Sequence, residues 1–461
     1  MGPDAAEPRQ ELAKRHLWMH FAKLGSFVDR PVHMIVRGEG CYVWDDHERR
    51  YLDGIAGLFA SQLGHGRAEL VDAGARQAAQ LAYFPLWGQA HPTAVDLAAR
   101  LAAEAPGDLN RVFFTSGGSE AVESAWKLAR QYFHIIGQPQ RHKVIARHLS
   151  YHGTTLGALA ITGLPAYREP FQPVTPGAVH VANTNRFRPA FSHLDPNDED
   201  AFSAACADAV EQAIVMEGPD TVAAVFVEPV QNAGGCIPPP DGYFARLREI
   251  CDRYGVLLVS DEVICAFGRL GHLFGCDRYR YQPDVITLAK GITSGYAPLG
   301  AVVASDRIAE PFLQPGASFA HGLTFGGHPV SCAVALANLD VFAAEDVMGH
   351  VRRSEPELHG HLDALRDLPL VGDVRGAGFF WALELVKDPV TNQRFEATEA
   401  TELAGRLSAR IADAGLLCRV IDRGDLVVQL SPPLVAGPEE LAHIEAALRV
   451  ALTDALPTLP R

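Results

Sequence analysis

The chain has 461 residues, of which 48% are hydrophobic, together with 42 Gly and 31 Pro, a balance that describes a loop-rich globular protein with more core than one ordinary domain needs. Its 40 basic and 55 acidic residues leave a formal charge of −15 without long blocks of one sign, which disfavours a nucleic-acid or anionic-membrane surface and leaves small molecules as the expected partners. Eight cysteines (Cys41, Cys206, Cys236, Cys251, Cys265, Cys276, Cys332, Cys418) contain no C-x-x-C pair and read as reduced structural thiols, and no metal site is expected.

Met1 to Trp18 is polar with no apolar leader-like core, and no stretch approaches about 18 uninterrupted apolar residues, so a soluble cytoplasmic protein is expected. Residues 1–65 read as an N-terminal arm and part of a small domain, with a short helix over 11–21 and a strand pair turning at Asp46-His47. From 66 to 335, short apolar runs alternate with helix-period segments, the signature of a parallel sheet with covering helices. Strands are expected at 112–114, 143–146, 222–227, 256–259, 285–289 and 299–303, and the polar segment 183–200 as a surface excursion. Residues 336–461 form the smaller unit, with strands near 378–384 and 426–430 and a last helix opening at Pro438 with Leu441, Ile444, Leu448 and Leu452 on one face.

Lys290 stands out because it terminates the apolar run 285–289. Burial strips water from an ammonium, so a sheet that tolerates one there is usually employing a neutral amine as a nucleophile or holding it in an imine. Asp261 ends the run 256–260 in the same way, and its apolar flanks demand a cationic partner. Glu228 closes the run 222–227, and Ser116-Gly117-Gly118-Ser119 connects a strand to a helix carrying Ala121, Ala125, Ala129 and Tyr132 on one stripe. Such a strand-to-helix turn offers free amides to a phosphate, or is simply a tight turn with Ser119 as N-cap. Parallel sheets gather ligand sites at strand carboxyl ends, so Ser116, Glu228, Asp261 and Lys290 are expected to face one crevice. A phosphate cradle, a buried acid and a nucleophilic lysine meet the needs of pyridoxal 5′-phosphate, with Tyr151 the aromatic for its ring.

The chain resembles the class III (omega) aminotransferases of the fold type I pyridoxal-phosphate enzymes over essentially its whole length. The likeness rests on Ser116-Gly-Gly-Ser-Glu-Ala, Tyr151-His-Gly, Glu228-Pro-Val-Gln, Asp261-Glu-Val-Ile-Cys-Ala-Phe-Gly-Arg, Ala289-Lys-Gly-Ile-Thr-Ser-Gly-Tyr and His321-Gly-Leu-Thr-Phe-Gly-Gly-His-Pro. It implies an α/β large domain with a mostly parallel seven-stranded sheet, a smaller α/β domain built from both chain ends, and a homodimer with sites at the interface, pairing into tetramers being left open. It further implies that Lys290 binds the cofactor covalently, Asp261 pairs with its ring nitrogen, and Tyr151 and Val263 cover its two faces. Ser116, Gly117, Gly118 and Ser119 would hold the phosphate with Thr324 from the partner subunit. His152 would join the cofactor shell, and Glu228 would lie near the ring hydroxyl and restrain a mobile arginine.

The same resemblance implies transfer of an amino group from a primary amine or ω-amino acid to pyruvate or a similar keto acid by a ping-pong mechanism. An aminomutase, racemase or decarboxylase of the same fold shares the lysine, aspartate and phosphate site and stands as the alternative; a noncatalytic cofactor-binding protein would have kept a costly lysine without using it. A dinucleotide-dependent oxidoreductase is disfavoured, since no G-x-G-x-x-G follows an early strand. Substrate-pocket positions by resemblance are Phe21, Leu58, Phe59, Trp87, Tyr151, Ala233 and Leu323. The substrate carboxylate falls to Arg419 or to Arg423, because the segment after Arg419 is longer than in the relatives; a salt bridge of either with Asp422 or Asp425 is the structural alternative. Ala166 occupies a position where relatives that prefer aromatic amines carry an aromatic, which implies a roomier pocket.

Overall fold

The computed structural model describes residues 8–455. Seven strands form one sheet in the order Leu109–Thr115, Gly300–Ser305, Val285–Leu288, Leu257–Asp261, Val222–Val227, Lys143–Arg147, Ala178–Val181. Gly300–Ser305 runs antiparallel to both neighbours, and every other pairing is parallel. Six strands therefore present their carboxyl ends at one edge of the sheet.

The strands Val222–Val227 and Leu257–Asp261 are buried at every position, as a parallel sheet covered on both faces requires. Alternate residues feed two layers. Val144, Phe226, Val259 and Val302 pack with the Ala121, Ala125, Ala129 and Tyr132 stripe of the helix Gly118–Ile135, while Ile145, Val225, Leu258, Ile286 and Val303 belong to the other apolar layer, which also takes in buried residues of the helices Glu199–Glu217 and Tyr243–Tyr254.

Two smaller sheets complete the fold. Strands Ile35–Glu39, Tyr42–Asp45 and Arg50–Asp53 are extended by Leu416–Leu417, which pairs in parallel with Arg50–Asp53, so distant parts of the chain share one sheet. The second is antiparallel, ordered Val371–Ala377, Phe380–Leu385, Leu426–Leu430, Arg419–Asp422. Arg269 joins segments: its fully buried guanidinium donates to the Phe379 carbonyl at 2.9 Å, the Pro432 carbonyl at 2.6 Å and Gln62 Oε1 at 3.0 Å.

The last helix runs Pro438–Ala455 with Leu441, Ile444, Leu448 and Leu452 buried, as its spacing predicts. The helix expected over 11–21 is instead Arg9–His16: it buries no residue, so nothing rewards its extension. Strands Ala178–Val181, Val371–Ala377 and Arg419–Asp422 escape the sequence reading because their half-buried or polar positions break any apolar run. The segment 183–200 is polar, yet it is anchored rather than a free surface excursion. Thr184 and Asn185 are buried, and Arg188 Nε lies 2.7 Å from Glu384, which is wholly enclosed.

Candidate active site

At the carboxyl edge of the large sheet lies a cavity lined by Gly118, Ser119, Tyr151, His152, Gly153, Glu228, Asp261, Val263, Ile264, Cys265 and Lys290. Each arrives from a strand end or the turn after it. Lys290 follows Val285–Leu288 and opens a one-turn 3₁₀ helix, Lys290–Thr293, with φ +47°. A side chain in that left-handed region costs about 1–3 kcal/mol, and the packed strand in front of it leaves the backbone no alternative. Half-buried in the cavity wall, its ammonium is pushed below the usual lysine range by burial, while Asp261 and Glu228 pull the other way. The amine is thereby made more available as a nucleophile.

Asp261 sits one strand over, in register with Thr287. Its Oδ1 accepts from Thr287 Oγ1 at 3.1 Å and from the Val263 amide at 3.2 Å, and its Oδ2 lies 2.7 Å from His152 Nδ1. His152 is buried, and its Nε2 has no hydrogen-bond partner. The carboxylate therefore sets the imidazole tautomer, with Nδ1–H donating and Nε2 left as a bare acceptor.

The helix Gly118–Ile135 points its amino end at the cavity with Gly117 as N-cap. First-turn amides lack intrahelical partners and carry the positive end of the helix dipole, which suits an anion. Ser119 is not the N-cap: its Oγ accepts from the amides of Thr154 and Thr155, both at 2.9 Å, so the hydroxyl is occupied. The Ser116 amide is taken by Glu120 Oε2 at 2.7 Å. At Gly118 a Cβ would come within 2.8 Å of Val263 Cγ1, so the helix start can approach Val263 only as glycine.

Glu228 is buried rather than a solvated loop acid, and its carboxylate accepts from the amides of Tyr151 at 3.2 Å and Asn232 at 3.0 Å. Burial raises its pKa, and His152 opposes the rise. Both carboxylate oxygens accept from backbone amides, whereas the expected role was to restrain an arginine. Arg147 Nη2 donates instead to the Glu228 carbonyl. Ala233 is buried in the loop that this carboxylate anchors.

Arg419 and Arg423 both border the site. The Arg419 guanidinium lies 5.9 Å from the ring centre of Phe59, a fully buried residue, and burial, then repulsion from Arg423, brings its pKa down to about 10. Arg423 Nη2 donates to Tyr167 Oη at 2.9 Å, and its guanidinium lies 5.2 Å from the Tyr167 ring and 6.0 Å from that of Tyr151. Phe21, largely exposed, stacks on Tyr167 with ring centres 5.3 Å apart. Tyr167 thus places an aromatic beside Tyr151, one residue after Ala166, so the roomier pocket inferred there is not what the structure shows. Sequence reasoning missed it because the single helical turn Pro165–Arg168 gives no periodic signal. Thr287 was missed as well, although a hydroxyl inside an apolar strand needs a partner and was the signal for it.

Within this chain Trp87 and Leu323 line a separate cavity with Phe113, Phe114 and His321, and Leu58 is exposed. Thr324 is exposed too, its carbonyl accepting from Tyr83 Oη at 2.7 Å.

The donor set fits pyridoxal phosphate. Helix-end amides beside a glycine cradle suit its phosphate, a buried Asp261 suits a cationic ring nitrogen, and a desolvated Lys290 suits its aldehyde. Comparison with known proteins reaches the same family. The class-III aminotransferase family model matches residues 26–452. A probable aminotransferase of Mycobacterium tuberculosis is 59% identical over 451 residues, covering 97% of this chain and 96% of its own. A putrescine–pyruvate aminotransferase of Pseudomonas aeruginosa is 39% identical over 445 residues, covering 96% and 95%. The crystal structure of a thermostable (S)-enantioselective omega-transaminase from Thermomicrobium roseum superposes with a TM-score of 0.93 at 40% identity, covering 97% of this chain and 98% of that one. The chain belongs to the class-III aminotransferases, enzymes that use pyridoxal phosphate.

Proposed function

We propose that the protein transfers an amino group from a primary amine or ω-amino acid to pyruvate or a similar 2-oxo acid by a ping-pong mechanism. The observation that carries the reading is the convergence of Lys290, Asp261 and the helix end at Gly118 on one cavity bordered by two arginines. Bound pyridoxal phosphate supplies the electron sink that makes a proton on the substrate's amine-bearing carbon removable. Lys290 Nζ takes that proton and returns it on the cofactor side, acting in turn as base and acid, which its lowered pKa favours. Asp261 holds a positive charge at the ring nitrogen and is itself oriented by Thr287 and His152. Val263 and Tyr151, both lining the cavity, would flank the cofactor ring, and the amides at the start of the helix would hold its phosphate.

We also propose a cytoplasmic homodimer. Tyr83, Phe84, Trp87 and Phe325 are large apolar side chains exposed near Thr324, and a second copy laid there would bring Thr324, Trp87 and Leu323 to the neighbouring site. The pairing with pyruvate draws support from the putrescine–pyruvate relative. Among the described residues no helix is long and apolar enough to cross a membrane, and all eight cysteines are free, as cytoplasmic reducing conditions would leave them.

The test is the holoenzyme incubated with an amine panel (β-alanine, taurine, putrescine, 1-phenylethylamine) and pyruvate, with alanine as readout. Alanine formation by wild type and its loss in Lys290→Ala support the reading. A Lys290→Ala enzyme that keeps full multiple-turnover transamination overturns it, and amine consumption without alanine points to a different reaction on the same fold.

A further inference from the structure

Arg375 lies on Val371–Ala377, an edge strand of the second small sheet, yet it is buried, and its guanidinium reaches out of that sheet to the loop that follows Glu228. Its Nε donates to the Gly235 carbonyl and its Nη2 to the Gly234 carbonyl, both at 2.7 Å, while Nη1 donates to Asp373 Oδ2 at 3.0 Å and pairs with Glu384 at 2.7 Å. Glu384 is wholly enclosed and stands directly opposite Asp373 in the strand ladder. Two acids facing each other repel. Arg375 answers both, and Arg188 Nε lies 2.7 Å from the other Glu384 oxygen. A buried ion pair of this kind adds little stability over apolar side chains of the same size. What an apolar pair could not do is grip two backbone carbonyls, and the planar fork of an arginine can.

The gripped loop is a closed turn. Gln231 and Ile237 exchange backbone hydrogen bonds at 2.9 and 2.8 Å, and the residues between them, 232–236, form its tip. That tip is strained: Gly235 has φ +91°, and Cys236, buried and not a glycine, has φ +48°. Such a conformation persists only where the surroundings enforce it. A Cβ at Gly235 would lie 2.6 Å from Val427 Cγ1 and 3.0 Å from Arg375 Nη2, so the turn sits against the small sheet as closely as a bare backbone allows. From the same sheet Gln429 Nε2 donates to the Asn232 carbonyl at 2.6 Å. The Asn232 amide in turn donates to Glu228 Oε2 at 3.0 Å, and Glu228 lines the cavity with Lys290 and Asp261. Burial and Asp261 favour the neutral form of Glu228, whereas His152 and the Asn232 amide favour the charged one.

We propose that Arg375 is a positioning residue of the active site: with Glu384 behind it, it holds the Gly234 and Gly235 carbonyls, and through that strained turn it delivers the Asn232 amide to the Glu228 carboxylate. Gln429 makes the second hold on the same turn. Lys290 and Asp261 are fixed by their own strands, whereas Glu228 is the member of the cavity whose carboxylate is held from the small sheet. Ala233, between Asn232 and Gly234, is fixed by the same grip.

This proposal rests on the transaminase reading above, and its test separates the two. Amide hydrogen exchange of the holoenzyme over 229–237 is compared in wild type, Arg375→Lys and Gln429→Met. The first variant keeps the charge and loses the fork. Exchange at the Asn232 and Gly235 amides is expected to speed up by about tenfold or more in Arg375→Lys and to rise in Gln429→Met as well, with Leu257–Asp261 and Val285–Leu288 protected as in wild type. Gln429→Met removes a side chain whose Oε1 already lacks a partner, which keeps the proposal falsifiable if Arg375→Lys fails to fold. Unchanged protection of 229–237 overturns the proposal, and so does a loss of protection that spreads equally to the two strands. Single-turnover absorbance of the cofactor with a saturating amine gives the second reading. Arg375→Lys and Glu228→Gln are each expected to slow it by about tenfold, the scale of one hydrogen bond to a charged group. The double variant is expected to fall within about twofold of the slower single one, because both act through one carboxylate; effects that multiply overturn the coupling. Transamination by wild type with exchange indifferent to Arg375 removes the clamp and leaves the reaction, whereas no reaction with any amine, together with exchange that depends on Arg375, removes the reaction and leaves the clamp.

Discussion

Asp261→Asn changes one atom and tests the electrostatic logic of the site in two ways. Oδ1 accepts from the Val263 amide at 3.2 Å and the Thr287 hydroxyl at 3.1 Å, so the asparagine must keep its oxygen there and turn its NH₂ toward His152. His152 Nδ1, 2.7 Å from the carboxylate, then has to become an acceptor, which moves the ring proton to Nε2. That nitrogen is buried without a partner, so the variant acquires an unsatisfied N–H and loses about 1–3 kcal/mol of apoenzyme stability. In the loaded enzyme the lost charge is the larger effect. Removing one partner of a buried ion pair costs about 3–5 kcal/mol, and at about 1.4 kcal/mol per decade kcat falls about 10²- to 10⁴-fold. Single-turnover absorbance of the cofactor with a saturating amine gives the rate, and urea unfolding of the apoenzyme gives the stability. A variant within about tenfold of wild type in rate would refute the assignment of Asp261 to a cationic ring nitrogen. An unchanged apoenzyme midpoint would refute the tautomer argument.

Two further predictions concern buried charges. Glu262 is fully buried, its Oε2 accepting from the Gly275 amide at 2.7 Å and its Oε1 from the Cys276 amide at 2.8 Å, and burial raises its pKa to about 7. Because the folded state holds this proton more tightly than the unfolded chain, the residue's contribution to stability is greatest below the unfolded value of 4.5 and declines as pH rises to about 7. Glu262→Gln removes that decline while leaving one amide facing an NH₂, so the variant should be less stable than wild type by about 1–3 kcal/mol at pH 5, with the gap narrowing by pH 8 in urea midpoints. A gap independent of pH would sink the argument. Arg269→Met strands three acceptors, the carbonyls of Phe379 and Pro432 and Gln62 Oε1, and should cost about 3–5 kcal/mol, less whatever the buried cation itself costs. Chemical denaturation showing equal or greater stability would contradict a joining role for this residue.

Lys290 and Asp261 were legible because a charge ending an apolar run is costly wherever it is not used. The strand positions followed from the same runs, and 222–227 and 426–430 match the observed strands at both ends. The phosphate turn was legible as an anion site, but not that Ser119 spends its hydroxyl on Thr154 and Thr155, since that contact joins residues about 35 positions apart and leaves no local pattern. Glu228 was visible as an acid but not as a buried one, because its desolvation is offset by amides from Tyr151 and Asn232. The arginines were found as rivals, and what sequence could not supply was the strand between them. Arg419–Asp422 alternates only weakly in polarity, and its pairing with Leu426–Leu430 sets Arg419 on the sheet edge while Arg423 falls in the bend beyond it.

The geometry of Asp261 and Lys290 is set by neighbouring strands of one ladder and the turn that follows. Asp261 pairs with Thr287, and Lys290 opens the 3₁₀ helix two residues after that strand ends, so the spacing from acid to amine follows from strand register together with this short turn. A slip of one residue would turn Asp261 to the opposite face of the sheet and break its bond with Thr287, and every residue of Leu257–Asp261 and Val285–Leu288 is buried in the present register. Arg419 stands on a different sheet, at its edge, where only one neighbouring strand constrains it, and Arg423 lies in the bend that follows. Substitution in 419–425 is therefore expected to leave the distance between Asp261 and Lys290 undisturbed. Lys290 and Asp261 are held by one sheet and Arg419 by another, and changes in one are expected to leave the other's geometry intact.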